Sequence, residues 1–192
     1  MPKLFNNPWK DNTNLRSRVL YKMRTAFYAW LLRKYCKGCK TVLDVGCGSG
    51  QFMKTAEKLG FKATGVEVDE RFKAKNTIIK DFRRLKRKWD VVFNSHLMER
   101  FDDHEKFIEK MCGLSNDVVI TLSAYASKSF WDTPDHAKPS SQVKVRWLYR
   151  RNGFRVLLSK HIPFYKGVLV IGKKVTPKDN DWESKKIRQG FW

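Results

Sequence analysis

The chain has 192 residues, a length suited to one folded domain, and its 42% hydrophobic and 14% aromatic content excludes a wholly disordered polymer. Forty Lys and Arg against 19 Asp and Glu give a formal charge of +21, which predicts a polyanionic partner: nucleic acid, with RNA first, or an anionic membrane surface. Only seven of the acids are Glu, unlike the Lys-plus-Glu surfaces of thermophiles; no stretch approaches a membrane span, and the first residues lack an apolar signal core, so a cytoplasmic location is expected.

Residues 1–13 are rich in Asn, Pro and Lys and read as a basic arm. From Asn14, a plausible N-cap, Leu15, Val19, Met23, Phe27, Trp30 and Leu31 recur at helical spacing and predict a helix over 14–36. A turn at Lys37-Gly38 leads to the β-branched strand TVLDV, then a helix from Gln51 to Leu59 closed by Gly60. ATGVEV is a second strand and Thr77 to Ile79 a short third. The run RRLKRK at 83–88 is a basic connection into the strand WDVVFN at 89–94. A helix over His104 to Cys112, the strand DVVITLS and a helix over Ser141 to Arg151 follow, the last ended by Asn152-Gly153. Two strands, 154–164 and 165–175, join near Pro163, and 176–192 reads as a tail. Strand–helix alternation predicts an α/β domain over 14–175 with a mostly parallel sheet and an antiparallel edge.

Charge is uneven along this plan. Residues 1–43 hold ten Lys and Arg against Asp11 alone, and 136–178 hold eleven with no acid. Thirteen of the 19 acids fall between Asp44 and Asp117. The two basic segments are expected to share one face with the opening helix.

The chemistry concentrates in VLDVGCGSGQF, residues 42–52: a strand, then D-x-G-x-G-x-G, then a helix. Gly46, Gly48 and Gly50 permit a tight turn and close approach of a ligand to backbone, and the helix start offers free N–H groups. The spacing is neither a P-loop nor the dinucleotide fingerprint. Glu67, at the end of the next strand, is positioned to accept two ribose hydroxyls. Asp81 follows the third strand, where it can take an adenine amine while Phe82 covers the ring.

In these segments the chain resembles the class I S-adenosylmethionine-dependent methyltransferases, over about residues 40–172. Asp44, Gly46, Gly48 and Gly50 match that family's first motif, Glu67 its ribose-binding acid and Asp81 its adenine-side acid. WDVVFNSHLMERF and WDTPDHAKPSS look like its small, general-purpose branch. The resemblance implies a Rossmann-like three-layer sandwich, seven strands with the last antiparallel, and in-line methyl transfer from S-adenosylmethionine. The implied cofactor set also takes in Cys47, Ser49, Val68 and, on the fourth strand, Asn94.

The acceptor is less defined. The fourth-strand segment lacks the [DNS]-P-P-[YFW] pattern of amino-methylating nucleic-acid enzymes. It also lacks the acid of ribose 2′-hydroxyl enzymes, and neither Cys47 nor Cys112 looks like the nucleophile of carbon-5 pyrimidine enzymes. His96 and His136 are the candidate bases, each also readable as a packing residue. Tyr125 and Trp131 line an acceptor pocket or belong to the core. Arg83, Arg84, Lys86 and Arg87 are either a solvated run or a substrate surface at the site mouth. Lys144, Arg146 and Arg150, interleaved with Trp147 and Tyr149, would bind phosphates and stack bases, or else solvate a helix whose inner stripe is Val143, Trp147 and Leu148. Cys36-Lys37-Gly38-Cys39 lacks a second pair for zinc and reads as a turn, so no metal is expected. Three functions compete: a methyltransferase on RNA, one on a small molecule or lipid with the opening helix on an anionic membrane, and a binding module that kept the fold.

Overall fold

A computed structural model of the chain describes residues 15–124, 141–162 and 167–175. Its strands are β1 (Thr41–Val45), β2 (Lys62–Glu67), β3 (Thr77–Ile79), β4 (Trp89–Ser95), β5 (Ser115–Ala124), β6 (Phe154–Ile162) and β7 (Gly167–Lys174). Its helices are α1 (Leu15–Tyr35), α2 (Gln51–Lys58), α3 (His104–Leu114) and α4 (Gln142–Arg151). Single 3₁₀ turns at Glu70–Phe72, Phe82–Arg84 and Met98–Arg100 complete the described elements. The strands form one sheet in the order β3-β2-β1-β4-β5-β7-β6. β1 to β5 pair in parallel, and β7 runs antiparallel to both β5 and β6. This is the expected Rossmann-like α/β architecture.

The central strands are apolar on both faces because helices cover both. Val42, Val91, Phe93, Val118 and Ile120 meet α1 and α2. Leu43, Val45, Val92, Val119 and Val170 meet α3 and α4. On the first face Phe52 of α2 stacks on Phe93 of β4 at 3.7 Å, and Tyr28 of α1 meets both edge-on. Such aromatic pairs contribute about 0.5–1.5 kcal/mol each beyond their area burial, so this trio pins both helices to the sheet. Gly50 begins α2 in the left-handed region, and Gly60 at φ 88 ends its cap. Ser141 caps α4 by accepting from the Lys144 N–H.

Three expectations change. The apolar row read for α1 is mostly its outer face: Tyr28, Leu31 and Leu32 are buried, while Leu15, Val19, Met23 and Trp30 are exposed. In α4 the buried stripe is Val145, Leu148 and Tyr149, and Val143 and Trp147 are 71% and 53% exposed. Tyr149 can be buried because its hydroxyl lies 2.7 Å from Thr121 Oγ1. Finally, the helices of the two basic segments do not share one face: α1 packs with α2 on one side of the sheet and α4 with α3 on the other. The arm 1–13, Asn14 and the tail 176–192 lie outside the described residues.

Candidate cofactor and catalytic site

The site forms at the carboxyl end of β1, where the chain must turn sharply into α2. The Gly46 and Cys47 N–H groups donate to the Val66 carbonyl at 2.9 and 3.3 Å, and the Gly50 N–H donates to the Cys47 carbonyl at 2.9 Å. Gly46 has φ 71, and a Cβ there would lie 2.8 Å from Leu97 Cδ2, so this position is closed to any side chain. Gly48 has φ 47 but nothing within 4 Å of its would-be Cβ. A side chain at Gly48 would project into open space beside the Glu67 carboxylate. Ser49 lies between these glycines on the same turn.

Glu67 ends β2 beside this turn. Its carboxylate accepts from the Gly48 N–H at 3.1 Å and the Val68 N–H at 2.9 Å. Val68 itself is exposed, an apolar surface next to the acid and suited to the face of a base. Gly65, two residues earlier, has a role that the sequence reading missed. A Cβ there would lie 2.4 Å from Met53 Sδ and 2.6 Å from Cys47 Sγ, so its bareness lets the turn and α2 settle on β2. The hint in sequence is a glycine in the interior of a strand.

Asp44 is buried directly under the turn. Burial, then the neighbouring Glu67 carboxylate, push it up to about 8, so near neutrality it is largely protonated. The Cys47 thiol is likewise pushed up to about 12, chiefly by burial, and Cys112 to about 12 by burial; neither is a thiolate at neutral pH.

Asp81 caps the 3₁₀ turn Phe82–Arg84, accepting from the Arg83 backbone N–H at 2.9 Å and from the Arg83 guanidinium. The guanidinium holds this carboxyl below its usual range. Asp69 and Arg71 repeat the same clasp after β2. Phe82 does not cover a ring at the mouth; it is buried against Phe101 and Phe107, at 5.8 and 5.2 Å.

At the end of β4, Asn94 sits in register with Val45, the residue before the glycine turn. Its Nδ2 donates to Thr121 Oγ1 at 3.1 Å, while its buried Oδ1 has no protein partner. His96 follows in left-handed backbone, φ 54, with its own N–H donating to the Leu122 carbonyl at 2.8 Å. That conformation turns the imidazole so that Nδ1 lies 3.2 Å from the carboxylate of Glu99, itself buried. In the sequence Glu99 stands as the acid of a Leu-x-Glu that follows His96 in the segment WDVVFNSHLMERF, with no role of its own; its pairing with His96 is what the structure adds. His136, Tyr125 and Trp131 lie outside the described residues.

The basic residues fall in two places. Arg83, Arg84, Lys86 and Arg87 are exposed along the connection from Asp81 to β4, anchored where Lys110 Nζ of α3 donates to the Leu85 carbonyl at 2.7 Å. Lys144, Arg146 and Arg150 lie on α4, whose Arg151 pairs with Glu105 of α3 and sits 5.3 Å from the Trp147 ring. Tyr149, buried, is not available to stack a base.

This arrangement fits S-adenosylmethionine. The open space at Gly48 admits the nucleoside, Glu67 lies beside it for a ribose, and Val68 offers an apolar surface for the base. Asp44 and the unpartnered Asn94 oxygen flank the turn where a cationic, hydrogen-bond-donating tail would gain most.

Comparison with known proteins agrees. A methyltransferase-domain family matches residues 16–167. Among solved structures, the magnesium protoporphyrin IX methyltransferase of Synechocystis with bound S-adenosylhomocysteine superposes with a TM-score of 0.67 at 17% identity, covering 84% of this chain and 88% of that one. A SAM-dependent methyltransferase from Archaeoglobus fulgidus gives 0.62 at 20% identity, covering 84% and 100%. The 1,6-didemethyltoxoflavin-N1-methyltransferase of Burkholderia thailandensis gives 0.63 at 12% identity, covering 84% and 83%. No curated protein matches the chain by sequence.

Proposed function

Because the chain belongs to the methyltransferase-domain family and is an S-adenosylmethionine-dependent methyltransferase, we propose that it methylates an O–H or N–H group of a small molecule, with His96 as general base. The observation that carries this reading is the His96–Glu99 pair at the carboxyl end of β4, with Nδ1 3.2 Å from the buried carboxylate.

S-adenosylmethionine, when bound, supplies a methyl group on a sulfonium, open to in-line displacement. Glu67 would hold the ribose and the Gly46–Gly50 turn would receive the nucleoside, while Asp44 and Asn94 would face the methionyl end. Asp81 is left a smaller part, since Arg83 already occupies its carboxylate. Glu99 accepts from His96 Nδ1–H and so keeps Nε2 free as the basic nitrogen. During methyl transfer to the acceptor's oxygen or nitrogen, His96 Nε2 would take the proton that the acceptor loses. The resulting imidazolium is stabilised by Glu99. Positioning supplies most of the acceleration, and the base contributes about 10²–10⁴-fold.

A small acceptor is favoured over a polynucleotide because, among the described residues, the two basic helices α1 and α4 lie on opposite faces of the sheet and do not join into one cationic surface. The magnesium protoporphyrin IX and 1,6-didemethyltoxoflavin enzymes, similar in fold, are named for small acceptors. RNA is the second reading, favoured by the exposed run Arg83, Arg84, Lys86 and Arg87 beside Asp81. The deciding experiment incubates the protein with methyl-labelled cofactor and a host extract, then separates RNA, DNA, protein, lipid and small molecules. Label in the lipid or small-molecule fraction supports the first reading. Label in RNA, with binding that weakens steeply as salt rises, supports the second.

A further inference from the structure

The outer face of α1 is the least explained surface of the molecule. Leu15, Val19, Met23 and Trp30 are 78%, 47%, 45% and 41% exposed. At 3.6 residues per turn they fall within an arc of about 80°, roughly opposite the buried Tyr28, Leu31 and Leu32. Phe27 stacks on Trp30 at 5.8 Å and extends the row. Single exposed apolar residues are ordinary, but a continuous row along a helix marks an interaction surface.

Cations frame this row. α1 contains six Lys and Arg and no acid. Arg18, Lys22 and Arg33 are exposed along one flank and Lys34 along the other, with Lys34 Nζ 5.2 Å from the Trp30 ring. We infer that this face of α1 docks on an anionic membrane surface, its apolar row entering the headgroup region and its cations meeting lipid phosphates. The pattern is that of a helix lying in the interface plane, with aliphatic and Trp side chains inward and Lys and Arg at the rim. RNA would satisfy the cations but leave Leu15, Val19 and Met23 in water, since a phosphate backbone offers nothing for aliphatic groups to bury against. A lipid surface accommodates both sets.

The docking face also bears on the site. Gln51, the first residue of α2, donates to the Tyr21 carbonyl at 2.8 Å and to Thr25 Oγ1 at 3.1 Å. Both partners lie on the side of α1 turned away from the apolar row, so the N-terminal half of the helix stands beside the glycine turn while its docking face looks outward. A docked chain would hold that end of the sheet near the bilayer, which suits an acceptor that partitions into it. That consequence rests on the methyltransferase reading; the docking itself does not.

The test is sedimentation of the full chain with vesicles of phosphatidylcholine alone or containing phosphatidylglycerol, alongside binding of S-adenosylhomocysteine. The protein should partition onto the anionic vesicles and much less onto neutral ones. The double substitution Val19→Glu and Met23→Glu should reduce that partitioning at least about tenfold, as should Arg18→Glu with Lys22→Glu. Both should leave S-adenosylhomocysteine binding intact, which shows the fold is kept and separates this inference from the cofactor site. Trp147→Ser, on the opposite face, should change nothing. The inference is overturned if the native chain ignores anionic vesicles, if the Val19 and Met23 substitutions leave partitioning unchanged, or if they abolish RNA binding instead.

Discussion

The Glu67 carboxylate accepts the Gly48 N–H at 3.1 Å and so ties the end of β2 to the turn that follows β1. A single acid thus both shapes the turn and stands ready for a ribose. Glu67→Ala removes a hydrogen-bond partner from the Gly48 and Val68 N–H groups and, in the proposed site, from the cofactor's ribose. Cofactor affinity should fall by about 1–3 kcal/mol, read by isothermal titration calorimetry.

Gly48 separates binding from folding. Its would-be Cβ meets no protein atom, so Gly48→Arg should fold with a modest loss of stability from its φ of 47, while the new side chain fills the ligand's space. Circular dichroism should change little and cofactor binding should vanish. An unchanged affinity would move the cofactor elsewhere.

Gly65→Ala tests the packing beneath the turn. Its Cβ would lie 2.6 Å from Cys47 Sγ and 3.0 Å from Cys47 Cβ, so the turn must shift. We expect a loss of about 1–3 kcal/mol in stability and weaker cofactor binding together, checked by urea unfolding and titration.

Asp44 predicts a pH dependence. Its native value of about 8 lies above the ordinary 3.8, so between the two the native state keeps a proton that the unfolded chain has lost. This group's contribution therefore falls as pH rises through that window, by at most about 1.4 kcal/mol per unit, and levels off above about 8. Asp44→Asn removes the slope, so its stability relative to the native chain should improve with pH. A cationic ligand beside Asp44 favours its ionised form, so the native chain's affinity for S-adenosylmethionine should rise over the same range. Urea unfolding and titration across pH, on both proteins, check the two slopes.

His96→Asn keeps a residue tolerant of left-handed backbone and removes the base. Turnover should fall about 10²–10⁴-fold with cofactor affinity nearly unchanged. Glu99→Gln should cost less, and the two losses should not add, because both act through one imidazole. Single-turnover rates with the identified acceptor decide this.

Much of this was legible in the residues. Strand–helix alternation predicts the mostly parallel sheet with an antiparallel edge, though not its order, and the glycine turn, Glu67 and Asp81 follow the strands that the motif spacing assigns them. What failed was the choice between competing faces. α1 has an apolar row on each of two opposite sides, and periodicity alone does not say which one the sheet covers. In α4, Trp147 fitted either a stacking surface or the inner stripe and Tyr149 only the stacking surface, yet Thr121 waits across the core for the Tyr149 hydroxyl, and Tyr149 is buried while Trp147 is exposed. Phe82 turned inward because Phe101 and Phe107, distant in sequence, make a better neighbourhood than the rim. Glu99 was part of the Leu-x-Glu after the fourth strand, but its pairing with His96 depends on the left-handed backbone at His96, a property no composition carries.

The placement of α1 and α4 on opposite sides of the sheet also changes how the charge of +21 is to be counted. A stiff polyanion laid against one side displaces counterions only from that side, and the far side's cations remain spectators. The salt slope of binding would then register the charges of one helix and its neighbours rather than the chain's total. For a ligand to sense both, it must be flexible enough to turn the edge of the sheet. Among the described residues, the charge of α1 and that of α4 are thus two separate quantities, each with its own address.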